Sequence, residues 1–389
     1  LMGVAVRSPY LIKWILRLVA SGLLLRGVAH SILPYVIGRR SFGLLSWIVA
    51  SSGLLEFLGI LIYALLIIDV FTRTNRATRR GAVPSIAPFM GMMLAGWLLY
   101  ASLNVALLTR MVLAGSTILD AAWNEFMVRA FIGFVLLPVC FTFSLRSFPL
   151  FLRLSVPSWN VRAVALTYLF ALCLELTPAL PPLVAKITDL SLWLSGLGMT
   201  LKGGIILWFI WQLDLLTRRN EPWTVNRVRQ PGPTRKPTRP GLPDYGEFGR
   251  FELLIYAAYF WLALGAVFEM LSGITTLLSV DSLHLNDAIR HMVLLGFVTN
   301  LIFGMSVRMI PGFINKKKVA RPGLVGATFW LINTAAVARV LPLLLPPSFI
   351  MRMPTMLTSA ESAFAFSGVF GLIALICLWS NLWKTAHQS

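Results

Sequence analysis

The chain has 389 residues, of which 57% are hydrophobic and only 13% charged, with a mean hydropathy of +0.78. A soluble domain carries about 25% charged residues and cannot hide this much apolar surface, which excludes a soluble globular protein. The net charge of +19 would suggest nucleic acid in a soluble chain. With no nucleic-acid-binding motif present, it reads instead as cytoplasmic loop charge and contact with anionic lipid, and no nucleic-acid partner is expected.

Taken in chain order, the apolar runs predict an all-α, polytopic transmembrane helical bundle of about ten spans, each of roughly 20 or more residues. They cover roughly 12–37, 43–70, 87–114, 126–150, 160–184, 190–217, 251–279, 286–313, 322–345 and 360–383. The first run is long enough to span and does not read as a cleavable signal peptide. Residues 218–249 are rich in Pro, Arg and Gly and cannot pack as a helix. They form a basic linker between an N-terminal transmembrane half, 1–217, and a C-terminal half, 250–389.

Basic residues concentrate in alternate loops: Arg73, Arg76, Arg79 and Arg80; Arg153 and Arg162; Arg218 to Arg239; Lys316, Lys317, Lys318 and Arg321. The intervening loops are poor in Lys and Arg, with Arg39 and Arg40 the exception. The positive-inside rule then puts both termini in the cytoplasm, in a bacterial inner membrane. The three cysteines, Cys140, Cys173 and Cys377, fall in separate apolar runs without C-x-x-C spacing, as small buried hydrophobes do.

The chain contains an internal repeat. Ser144 to Phe151 and Ser306 to Phe313 share S-x-R-x-x-P-x-F at an offset of 162, as do Asn124-Glu125 and Asn286-Asp287. Gly133-Phe134-Val135 and Gly296-Phe297-Val298 recur at 163. Both copies start from the same face, so the repeat is parallel. Arg146 and Arg308 each precede a proline by three residues. The proline disrupts the helix and frees carbonyls that the arginine could satisfy, which makes the pattern chiefly a helix-terminating one.

Ionisable residues inside a membrane are expensive and point to function. Of the four histidines, His387 is terminal and His284 lies in a loop before span 8. His30 and His291 both fall roughly 6–10 Å inside the outer boundary at about 1.5 Å per residue. At matching depth, they could ligate one haem iron from opposite faces. Arg26, on the His30 face one turn earlier, and Arg290, beside His291, could pair with haem propionates. The competing reading pairs Arg26 with Glu56, Glu175 or Glu269. Lys202 and Asn104 sit near the midplane, where the lysine snorkels or meets a carboxylate.

The stretch from His291 to Phe313 reads H-x-x-x-x-G-F-V-x-x-x-x-x-G-x-x-x-R-x-x-P-x-F. It resembles a helix of NnrS-like membrane proteins, which are distantly related to the catalytic subunit of haem–copper oxidases. The resemblance implies a polytopic helical protein associated with haem and, in some members, copper and nitric oxide stress. Only His291 maps onto the motif. A haem–copper core needs about six histidines, and span 1 reads Arg26-Gly27-Val28-Ala29-His30 with no H-E-x-x-x-G. That argues against copper and a complete binuclear centre. The expectation is a b-type haem protein passing electrons within a respiratory or redox complex, with the lipid bilayer, quinone and other subunits as partners. Two alternatives stand beside it: a haem-free structural subunit, and a transporter.

Overall fold

The computed structural model describes residues 8–73, 83–152, 154–181, 189–219, 246–279, 285–345 and 354–388. Most of the expected linker, His284 and several basic loop residues (Arg76 to Arg80, Arg153, Arg227 to Arg239) lie outside the described residues.

Every described element is helical, and each apolar run of the sequence becomes one helix. These are α1 (Tyr10–Ile32), α2 (Ser41–Arg73), α3 (Val83–Leu113), α4 (Ala121–Leu152), α5 (Val161–Leu176), α6 (Asp189–Leu213), α7 (Phe251–Leu277), α8 (Leu285–Phe313), α9 (Pro322–Leu344) and α10 (Pro354–His387). All but α1 and α5 are among the eight that are long and apolar enough to cross a membrane. In hydrocarbon a helix satisfies every backbone polar group within its own segment, which is why long apolar runs resolve into this element alone. Leu24, Trp193, Trp330 and Trp379 stand exposed on the helices, the pattern of side chains whose solvent is lipid. Cys140 is buried, as expected, but Cys173 is exposed on α5, a position that faces out of the protein.

The chain divides into two compact units. One contains Leu1–Phe143 with Leu176–Ile187; the other contains Ser144–Glu175 with Thr188–Ser389. In the first unit, α1 packs along α2, and α2 along α3. Small residues let the backbones approach: a Cβ on Gly96 of α3 would lie 2.4 Å from the Phe134 Cβ of α4. In the second unit α7 is central. It packs along α6 on one side, where Gly203 and Gly273 set the spacing, and on α8 on another. The loop after α8 is strapped to α10, whose Thr385 and Asn381 side chains accept from the Ala320 and Arg321 backbone N–H groups, both at 2.9 Å.

Both copies of the Gly-Phe-Val repeat fall in π-helical turns, Ile132–Leu136 in α4 and Met292–Thr299 in α8. A π turn shifts the hydrogen-bond register and leaves a carbonyl without its usual partner. In α8 the Asn300 Nδ2 donates to the Gly296 carbonyl at 2.8 Å, and the Thr299 hydroxyl donates to the Leu294 carbonyl at 2.9 Å. Asn300 Oδ1 in turn accepts from Asn333 Nδ2 of α9 at 3.2 Å, and Asn333 Oδ1 accepts from Trp261 Nε1 of α7 at 2.9 Å. A polar chain therefore ties three helices to the π turn. Trp261→Phe removes the indole donor to Asn333 Oδ1 and is expected to cost about 2 kcal/mol, read as a lower midpoint in a detergent unfolding titration.

The helix-ending role read into S-x-R-x-x-P-x-F holds at the level of position, since α4 and α8 end at Leu152 and Phe313. At the helix end the carbonyls of Ile310 and Pro311 accept from the backbone N–H groups of Ile314 and Lys316, at 3.2 and 2.7 Å. The Arg308 guanidinium stacks 4.1 Å from the Phe248 ring centroid and 5.1 Å from that of Phe151. Phe151 is the last residue of the first-copy motif, so the two copies meet here. Tyr259 joins them a second time: its hydroxyl donates to the Ser144 Oγ at 2.6 Å while its ring packs against Phe148 and Phe297.

Candidate functional site

Each unit buries ionisable side chains, and the sequence supplies them from helices that must pair inside the bilayer. In the first unit Arg26 Nη2 lies 2.8 Å from Glu56 Oε1. Asn104 Nδ2 of α3 donates to Glu56 Oε2 at 3.4 Å, and Tyr100 of α3 lies beside Arg26. Of the three carboxylates weighed for Arg26, the structure selects Glu56. The contact depends on Gly22, where any Cβ would come within 2.8 Å of the Glu56 Cγ.

His30 is half-buried in the same unit, and its Nε2 donates to the Thr117 carbonyl at 3.0 Å. That bond fixes the end of α1 to the loop between α3 and α4 and leaves Nδ1 as the ring's other nitrogen.

In the second unit Lys202 of α6 forms ion pairs with two carboxylates at once, Glu175 of α5 and Glu269 of α7, the latter at 2.6 Å. Side-chain exposures are 8% for Lys202, 6% for Glu175 and 12% for Glu269, so the cluster is dry. The fully buried Tyr168 of α5 lies within the same field. The lysine meets carboxylates, as the sequence allowed, and it does not snorkel.

His291 is half-buried at the start of the π turn of α8. The charges acting on its ring come from Arg339 of α9 and from Asp287 and Arg290 of its own helix. Arg290 Nη1 lies 3.4 Å from Asp287 Oδ1, and Arg339 stacks 4.8 Å from the Phe364 ring of α10. Among the described residues no hydrogen bond reaches the His291 ring. His30 and His291 thus belong to different units, and Arg339 is the residue near His291 that sequence reasoning missed. Its signal was there: an arginine in the last third of an apolar run, in a span with no acid of its own. Among the described residues, no group of three or more His, Cys, Asp or Glu side chains could hold a metal ion.

An apolar groove of about 600 Å³ runs between α5 and α6, with Trp159, Thr167, Thr200, Gly204 and Trp208 in its wall.

Eight apolar spans among the described residues, with buried charge and lipid-facing helix surfaces, define an integral, polytopic helical membrane protein. Residues 249–384, about a third of the chain, match the family model of the NnrS protein, and the chain is NnrS-like over that stretch. The match takes in α7 to α9 and most of α10, and so Trp261, Glu269, His291, Asn300, Asn333 and Arg339. No curated protein matches the chain.

Proposed function

We propose that this NnrS-like protein holds a b-type haem in the membrane, with His291 as an iron ligand, and passes electrons in a bacterial inner membrane with both termini cytoplasmic. The observation that carries the reading is the His291 ring, half-buried at the head of a π turn with Arg339 and Arg290 close by. π turns concentrate at functional sites because they re-aim side chains and free backbone groups. The residues fit the group: an imidazole donor for iron, and guanidinium groups of the geometry that carboxylates such as propionates prefer. Bound there, the haem supplies one-electron redox chemistry. Arg290 and Arg339 orient it and offset its negative charge; Asp287 holds Arg290 in place. The groove between α5 and α6 suits the tail of a quinone that exchanges electrons with the site.

The test is a reduced-minus-oxidised visible spectrum of the purified protein, with the pyridine haemochrome quantified. A b-type band near one haem per chain is expected, lost in His291→Ala and kept in His387→Ala. A spectrum unchanged by His291→Ala removes that residue from the site. A colourless protein that purifies with partner subunits favours the haem-free structural role instead, a reading supported by the Thr117 bond that already occupies His30.

A further inference from the structure

The groove between α5 and α6 has a polar end and an apolar one. The Trp159 and Trp208 rings meet edge to face with centroids 5.3 Å apart, while Ala171 and Glu175 lie against Gly198. The two helices therefore run antiparallel, and Trp159, Asn160 and Trp208 share one end of the groove. From Asn160 to Thr167, and from Trp208 back to Thr200, it runs about 10–12 Å at about 1.5 Å per residue. Tryptophan at a helix end marks the membrane–water interface, so this end sits at headgroup level and the rest lies in hydrocarbon. None of the residues lining the groove is charged.

Hydrogen-bond donors are confined to the Trp159 end. Asn160 caps α5, its Oδ1 accepting from the Ala163 N–H at 3.1 Å. That donor needs an oxygen, so the amide orientation is fixed, and Nδ2 is left to donate with no partner among the described residues. The indole N–H of Trp159, buried beside it, has no hydrogen-bond partner among them either. Deeper in, the Thr167 hydroxyl donates to the Ala163 and Val164 carbonyls and the Thr200 hydroxyl to the Gly196 carbonyl. Neither threonine has a proton left to offer. The slot thus matches a molecule with an uncharged acceptor at one end and hydrocarbon along the rest. A phospholipid phosphate would find no cation in the wall, whereas a quinone carries neutral ring carbonyls and an apolar tail.

We propose that the groove binds an isoprenoid quinone with its head at the Trp159 end, one ring carbonyl accepting from the Asn160 amide and the tail passing Gly204 toward Thr167 and Thr200. Gly204 leaves the room for that tail, because a Cβ there would meet nothing within 4 Å. The inference rests on the quinone reading of this groove given above; it does not depend on haem at His291, and its test reads nothing from haem.

Saturation binding of a short-tailed benzoquinone to the purified protein in detergent, corrected for uptake by empty micelles, decides it. The wild type is expected to bind it saturably. Asn160→Asp keeps the helix cap, since an aspartate accepts from the Ala163 N–H equally well, but replaces the amide donor with an anionic oxygen. It is expected to weaken binding by about tenfold or more. Gly204→Leu fills the slot and is expected to abolish saturable binding. Both variants keep the wild-type unfolding midpoint, which separates lost binding from lost fold. An alkylbenzene with the same tail, which has no carbonyl, displaces the quinone only weakly. Saturable binding that neither variant alters overturns the proposal and leaves a quinone site elsewhere in the protein. Absence of saturable binding in the wild type removes the quinone reading along with it. Equal displacement by the alkylbenzene also overturns the proposal and makes the groove a slot for lipid chains.

Discussion

Gly198→Val is expected to destabilise the protein by about 3 kcal/mol, at the top of the range for overpacking a close helix contact. The new Cβ would meet the Glu175 nitrogen at 2.4 Å and the Ala171 oxygen and Glu175 Cα at 2.8 Å. All three are backbone atoms, so no side chain can rotate away and α5 must move as a body. That movement also draws Glu175 from Lys202, which adds an electrostatic cost to the steric one. Gly204→Val is the control. It lies on the same helix, in the wall of the apolar groove, and its Cβ would meet nothing within 4 Å. An unfolding titration in mixed detergent micelles should place the first variant well below wild type and the second close to it. Equal shifts for both would mean that helix propensity, and not the α5–α6 contact, sets the cost.

Much of this architecture is legible in the sequence, and what was hidden has identifiable causes. The number and order of the helices follow from the apolar runs, which become ten helices among the described residues, eight of them long and apolar enough to cross a membrane rather than the ten expected. The partner of Lys202 was foreseeable as a carboxylate, yet which of Glu56, Glu175 and Glu269 went to Arg26 was not. All three map to similar depth, and depth says nothing about which helices are neighbours. The structure puts Glu56 beside Arg26 because α1 packs on α2, and gives the other two to Lys202 because α6 lies between α5 and α7. The π turns were visible only as a one-residue slip of Gly-Phe-Val between the repeat copies. Register of that kind depends on backbone hydrogen bonds that composition does not encode. Depth alone suggested His30 and His291 as a pair; the Thr117 bond to His30 is a tertiary contact that no local pattern announces.

Glu56→Leu is expected to cost about 3–5 kcal/mol, the range for removing one partner of a buried ion pair. The loss is asymmetric across the pair. A guanidinium stays protonated at any accessible pH, so Arg26, left alone, remains a charge, with Ser52 and Tyr100 beside it and no carboxylate in ion-pair range among the described residues. Arg26→Met strands Glu56 instead, and a carboxylate can shed its charge by taking a proton, which caps the penalty. The double variant Arg26→Met with Glu56→Leu removes both charges and fills similar volume. It is expected to fall within about 1 kcal/mol of wild type, since a well-packed apolar replacement of a buried pair is often neutral or better. A double-mutant cycle on the unfolding free energy then gives a large favourable coupling between the two positions. Simple additivity of the two single costs would refute the buried pair as the interaction at stake. If instead the pair serves a bound anionic group at Arg26, the double variant would keep its stability yet lose that group, and the visible spectrum of the same samples separates the two roles.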